Sequence, residues 1–329
     1  MYRIKSITLL SIVCLLFSTV TFAQKKLPLD GKVIVVDPGH GGSAATDSYR
    51  QAASGEREEW IDLRVGLQLK ELLEAKGAKV LMTRSTDVPF PLADRAKMAN
   101  DNKANLFVSI HHNATADPAV NFPIIYYHGL SSSNSAGVKL GKMLGKNLRK
   151  YMYKSKTPVS VVSDYTIFSS AGSSVLRGTY GIPGILAEAS FFTNPEEETR
   201  LKQKEHNYNE AVAFAKAIEK FLGGSIPVIR PKIASDFPPL FATLQEAERM
   251  SPVAKRWYQD YTDAKALMKS KNKEQLQKAY DLFTQSAKSF PDSYVAAKCH
   301  KYRAQILHKL GREDEAFKEE NRVSEFYPE

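Results

Sequence analysis

Three histidines and a cluster of carboxylates are the residues of this chain whose types and spacing could do chemistry. "KVIVVDPGHGG", residues 32–42, runs through apolar residues into Asp37, turns at Pro38 and Gly39, and presents His40 with two glycines behind it. "LFVSIHHNA", residues 106–114, repeats that design, because the apolar run Leu106 to Ile110 ends on His111 and His112. Two strand ends that each offer an imidazole make a two-ligand corner for a metal ion. Hydrolytic zinc sites commonly use three protein ligands and leave a fourth position to water, so a carboxylate or a further imidazole should complete the set. "SGEREEWIDL", residues 54–63, offers Glu56, Glu58 and Glu59 at the start of a helix. Acids at that position also have an ordinary reason to be there, since they complement the helix dipole. Neighbouring helical positions point about 100° apart, so only one of these acids should face the metal well.

Other site chemistries find less support. The chain contains no HExxH or HxxE pair and no G-x-S-x-G elbow, which excludes the common helical zinc-protease arrangement and that serine-nucleophile turn. "GVKLGK", residues 137–142, is one residue short of a phosphate-binding loop, and no strand leads into it. Cys299 adjoins His300 in a helical stretch, where a buried thiol is the ordinary reading.

The elements that must position these residues follow from periodicity. From Val33 to about Leu222, short strand-like runs alternate with helical patterns, as in an α/β domain. Candidate strands cover residues 33–36, 79–83, 106–110, 124–128 and 184–190. Ile61, Val65, Leu69, Leu72 and Leu73 recur at helical spacing, and Gly77 closes that helix. Residues 133–152 form another helix with Gly137, Gly141 and Gly145 on one face. Each such glycine costs roughly 1 kcal/mol against alanine, so close packing onto the sheet is the expected compensation. Asn194, Pro195 and the acids after them read as a helix start.

Residues 1–23 read as a secretory signal cut after Ala23. Arg3 and Lys5 precede an apolar run from Ile7 to Val20 that is short for a membrane span. Cys14 lacks the small residues before it that lipidation would want. Cleavage leaves Cys299 as the single cysteine, so an exported chain without an internal disulfide must rely on its core or a metal. The formal net charge of +10, from 46 basic and 36 acidic residues, suits anionic surroundings. The cations are scattered without aromatic interleaving, so no nucleic-acid partner is expected. "GGSIPVIRPKIASDFPPL", residues 223–240, is rich in Gly and Pro and reads as part of a linker over 224–251.

Beyond the linker the chain turns helical. "KAYDLFTQSAKSFPD" aligns with "EAFKEENRVSEFYPE", matching Ala279 with Ala316, Tyr280 with Phe317, Phe290 with Tyr327 and Pro291 with Pro328. The interval is close to the ~34-residue period of tetratricopeptide units, and the segment 252–329 resembles a pair of them. Two repeats are fewer than the roughly three that bury a continuous core, so these are expected to lean on the catalytic domain or on a protein partner.

Four blocks, "VIVVDPGHGG", "EEWIDLRVGLQLKELLEAKGAKVLMTR", "LFVSIHHNA" and "IPGILAEASFFTNPEEE", occur in the order found in zinc-dependent N-acetylmuramoyl-L-alanine amidases of the cell-wall type. The resemblance covers roughly residues 31–222. It implies an α/β fold with a mixed six-stranded sheet and helices on both faces, followed here by the small all-α segment. It also implies one zinc ion, Zn2+, per catalytic domain, with His40, Glu58 and His111 as ligands and Glu188 as the catalytic glutamate. Counting back from Gly77 selects Glu58 over Glu59 and Glu56, and the same register prefers His111 to His112. The implied reaction cleaves the amide between the lactyl group of N-acetylmuramic acid and L-alanine of the peptidoglycan stem peptide. Zinc so held acidifies water toward a pKa of about 7, and Glu188 would carry the proton.

The loop from Ser43 to Arg57 departs from the family's usual continuation. The stretch after His111 has no room for the helix that blocks partner-activated members, which implies an open site or regulation through the repeats. The expected organisation is a signal at 1–23, a catalytic domain at 24–223, a linker at 224–251 and helical repeats at 252–329. The mature chain is expected in the periplasm or cell envelope, with no membrane span. No expected site residue lies beyond Glu188, so a chain ending near Gly224 is expected to bind zinc and cleave. The competing readings are an exported peptidoglycan-binding scaffold and a zinc hydrolase acting on another envelope polymer.

Overall fold

Runs of β-branched and aromatic residues form the strands of one sheet, and the chain between them folds into helices that cover it. The computed structural model describes residues 26–328 except 49, 155, 169–170, 233–242 and 245. The expected signal segment therefore lies outside the described residues, as does part of the expected linker. In chain order the elements of the sheet region are β1 (Val33–Pro38), α1 (Glu58–Glu74), β2 (Lys79–Met82), α2 (Leu92–Asp101), β3 (Leu106–Asn113), β4 (Ile124–Tyr127), α3 (Ser135–Met152), β5 (Ser160–Ser163), α4 (Ser174–Gly178), β6 (Gly184–Phe191), α5 (Pro195–Leu201) and α6 (Lys204–Leu222). The later helices are α7 (Glu246–Arg249), α8 (Trp257–Leu267), α9 (Lys273–Ser289), α10 (Ala296–Lys309) and α11 (Glu313–Phe326).

The six strands lie in the order β2-β1-β3-β6-β4-β5. Every pair is parallel except β4 with β6, so the sheet is mixed, as expected. β5 is absent from the sequence candidates because "SVVS" has only two β-branched residues between serines and too little length to show a period. β3 runs to Asn113, so both histidines lie within the strand rather than beyond its end. Pairing of His111 with Glu188 on β6 continues the ladder that far.

Alternate strand residues divide between two cores, because successive side chains point to opposite faces. Ile34, Val36, Val108, Ile110, Ile125 and Ala187 meet α1, α3 and α6. The glycine face of α3 lies against the sheet: a Cβ on Gly145 would come within 2.5 Å of Val159, and one on Gly137 within 2.8 Å of Tyr127. That contact is the compensation expected for helical glycines. α1 is capped by Ala75, and Gly77 then turns the chain with φ +91°.

On the other face Val35, Phe107, Ile124, Tyr126 and Leu186 share a core with Trp257, Phe283, Phe290, Val295 and Cys299 of the C-terminal helical segment. Polar groups fasten the same contact. Tyr126 donates its hydroxyl to the Asp292 carboxylate, Ser160 Oγ donates to the Asp292 carbonyl at 2.6 Å, and Tyr127 donates to the Glu325 carbonyl at 2.6 Å. The repeat-like segment thus leans on the sheet and forms a layer of the fold. A chain ending near Gly224 would expose that apolar face to water. Periodicity shows that a strand face is apolar but not which later segment covers it.

His112 joins three elements beneath the sheet. Its Nδ1 meets Asp62 of α1 at 2.8 Å and its Nε2 meets Glu210 of α6 at 3.0 Å, all three side chains being fully buried. Burial alone would favour the neutral imidazole, but the two carboxylates outweigh it and hold the His112 pKa well above its usual value. His112 therefore ties β3 to both helices.

Three measurements follow. A chain ending at Gly224 should aggregate or lose cooperative unfolding, checked by light scattering and denaturant titration. Phe290→Ala should cost about 3–5 kcal/mol in the same titration. His112→Ala leaves Asp62 and Glu210 facing each other without their cation, and a loss of about 3–5 kcal/mol is expected.

Candidate metal centre

The turn after β1 is held from both sides by buried arginines. Asp37 accepts from Thr83 Oγ1 at 2.6 Å, Arg95 at 2.8 Å and Ser109 Oγ at 2.7 Å, which joins β1 to β3, α2 and the end of β2. Arg84 donates to the carbonyls of Pro38, Gly39 and Glu59, and Arg95 to those of Pro38 and His40. Carbonyls turned inward in this way leave His40 in the left-handed region, with φ +54°, an uncommon and costly conformation for a residue with a side chain. The preceding residue must be glycine, since a Cβ on Gly39 would fall 2.4 Å from the His111 ring. The bare hinge seen in the sequence is therefore the clearance that two imidazoles need to meet.

The three acids at the start of α1 have separate partners. Glu56 accepts from Arg64 at 2.6 Å. Glu59, fully buried, accepts from Arg57 at 2.6 Å and from Ser43 Oγ at 3.2 Å. Glu58, the first residue of the helix, turns to the histidines: its Oε1 lies 3.1 Å from His40 Nε2 and 3.0 Å from His111 Nδ1, and those two nitrogens are 3.1 Å apart. The structure thus brings His40, Glu58 and His111 to one point, and this is the one group of its kind among the described residues.

The hydrogen-bond roles at that point conflict. Arg50 Nε donates toward His40 Nε2 at 3.2 Å, and the same nitrogen cannot accept from Arg50 and donate to Glu58 at once. Burial opposes charge on both His40 and Glu58, yet their mutual attraction prevails, raising the histidine and holding the carboxyl well below its usual range. Two ring nitrogens and an ionised carboxylate oxygen form a donor set suited to zinc.

Glu188 stands beside the triad on β6. Its Oε2 is buried without a hydrogen-bond partner among the described residues. Burial, with Glu58 and Asp62 adding to it against the opposing pull of His111, pushes its pKa up to about 8. A cavity of about 240 Å³ opens over the four residues and is bordered also by Arg50, Tyr126, Phe168, Ser173 and Arg249. Asp37, Arg84, Arg95 and Arg249 were not singled out as site residues from the sequence. Asp37 and Arg84 do stand in the quoted blocks "VIVVDPGHGG" and "KVLMTR", whereas Arg95 and Arg249 carry no local signal.

Known proteins share this architecture. A family described as N-acetylmuramoyl-L-alanine amidase matches residues 34–220. The endolysin of Bacillus phage SPP1 is 34% identical over 214 residues, spanning 62% of this chain and 73% of the relative. The germination-specific N-acetylmuramoyl-L-alanine amidase of Bacillus subtilis is 27% identical over 210 residues, spanning 59% of this chain and 81% of the relative. Among solved structures, N-acetylmuramoyl-L-alanine amidase AmiC2 of Nostoc punctiforme superposes with a TM-score of 0.50 at 29% identity, covering 58% of this chain and 97% of that one. The matched span carries the whole sheet, the triad and Glu188, and by it this chain belongs to the N-acetylmuramoyl-L-alanine amidase family of peptidoglycan hydrolases.

Proposed function

We propose that His40, Glu58 and His111 hold one zinc ion and that Glu188 is the proton carrier for cleavage of the bond between the muramic acid lactyl group and L-alanine. The observation that carries this reading is the convergence of three donor atoms 3.0–3.1 Å apart next to Glu188, whose Oε2 is buried without a partner among the described residues. Such separations suit ligand atoms gathered around one small ion with bonds of about 2.0–2.2 Å. When bound, zinc supplies a Lewis acid that acidifies water toward a pKa of about 7 and polarises an amide carbonyl.

The protein's own groups divide the remaining work. Glu58 stays ionised because two imidazoles face it and it opens α1, where the helix dipole favours negative charge. Glu188 has the opposite environment, and a carboxyl pushed up to about 8 by burial binds a proton readily near neutral pH. A cation on the triad would lower that value toward the working range. Glu188 takes the proton of the attacking water and returns it to the alanine nitrogen as the C–N bond breaks. Two carboxyls with pKa values driven apart thus take different roles.

We place the mature chain in the periplasm or cell envelope, where peptidoglycan lies, with residues 1–23 removed as a signal. The helical segment 252–329 remains available to a protein partner through surfaces that do not face the sheet, such as the exposed Phe317.

Glu58→Ala should sharply lower zinc content, whereas Glu59→Gln, whose parent pairs with Arg57, should stay near full occupancy by metal analysis. The reverse result would move the ligand by one residue. Glu188→Gln should keep zinc and melting temperature while turnover on muropeptides falls about 10²- to 10⁴-fold. Full zinc with parental turnover would remove Glu188 from the reaction.

A further inference from the structure

The short helix α7 lies within the segment expected as a linker, and it delivers Arg249 to the wall of the cavity that holds His40, Glu58, His111 and Glu188. We propose that Arg249 is a receptor for a carboxylate on the peptide side of the substrate, so that the C-terminal segment supplies a specificity subsite to the catalytic cavity. The proposal rests on the amidase reading above and adds the substrate group recognised.

The guanidinium is fixed in advance. It lies 4.8 Å from the centre of the Phe290 ring and donates to Asp292 Oδ1 at 2.9 Å. Asp292 is itself held, because its carboxylate accepts from the Tyr126 hydroxyl and its carbonyl accepts from Ser160 Oγ at 2.6 Å. Tyr126 and Ser160 are on β4 and β5, so the sheet determines where the arginine points. A guanidinium has five N–H donors in a rigid planar fork that matches a carboxylate. One edge on Asp292 leaves donors for the cavity.

The other arginine at the cavity, Arg50, pairs with Asp47 of its own loop. Arg249, anchored through Asp292 to β4 and β5, is the cation whose position the sheet sets. Of the two halves of the substrate, the lactyl side leads to a neutral sugar, whereas the leaving amine belongs to a peptide that carries carboxylates. A carboxylate meeting a pre-positioned, largely buried guanidinium would gain a charge-assisted, paired hydrogen bond. The subsite belongs to the leaving-group side for that reason.

The test uses the full-length, zinc-loaded protein and two soluble muropeptides identical except that the peptide carboxylates of one are amidated. Amidation should raise KM roughly 10- to 100-fold with kcat little changed. Arg249→Gln should raise KM for the acidic muropeptide to a similar degree and erase the difference between the two. Arg249→Lys, a point charge without the fork, should recover only part of it. Equal KM values for the parent on both muropeptides would overturn the proposal, as would an Arg249→Gln protein that loses kcat alone, the sign of action through Glu188. If Arg249→Gln melts far below the parent because Asp292 is left unpaired, the parent's two KM values decide alone. Cleavage of neither muropeptide by the parent would overturn the amidase reading on which the subsite depends.

Discussion

The buried carboxylate of Asp37, with the two arginines around it, is the constraint from which the site follows. Asp37 is satisfied by Thr83, Arg95 and Ser109, so strands β1 and β3 are joined at the level where each reaches its histidine. Arg84 and Arg95 then take the carbonyls of residues 38–40, which a tight turn would otherwise leave without partners. Buried polar groups cost free energy unless paired, and here the pairing also sets the direction of His40. An ion pair as buried as Arg95 with Asp37 contributes little net stability on its own, and its value lies in fixing one geometry.

Charge is distributed around the triad of His40, Glu58 and His111 in layers. The imidazoles facing Glu58 hold its carboxyl well below the usual range, burial beside Glu58 and Asp62 pushes Glu188 up, and Asp62 and Glu210 hold His112 above its usual value. The His112 backbone N–H also donates to Glu58 Oε1 at 3.3 Å, so His112 with its two acids and the Glu58 carboxylate belong to one connected network. Supporting interactions of this kind orient ligands as much as the ligands' own rotamers do.

The C-terminal helices complete the molecule in two senses. They supply aromatic residues to a sheet face that α2 and α4 cover only in part, and they bring Arg249 to the cavity through Asp292. Residues that stabilise this layer thus also border the cavity. The opposite side shows another convergence: Lys146, Arg149 and Lys150 of α3 meet Lys216 and Lys220 of α6 around one groove, although these cations look scattered in the sequence.

What the sequence determined by itself was whatever depends on local order. Strand runs, the α1 period, the cap at Asn194, the glycine face of α3 and the histidines at two strand ends are each written within a dozen or so residues. Glu58 could be separated from Glu56 and Glu59 only by resemblance, because all three satisfy the same helix-start preference; the structure separates them by giving Arg64 to one and Arg57 to another. The tertiary structure alone decided the rest: β5, too short to show a period; His112, whose two acids lie 50 and 98 residues away; the arginines around the hinge; and the helical tail as a layer over the sheet. Each of these is a contact between segments distant in sequence, and local periodicity records that a surface is apolar or a charge is present without recording what will cover or pair with it.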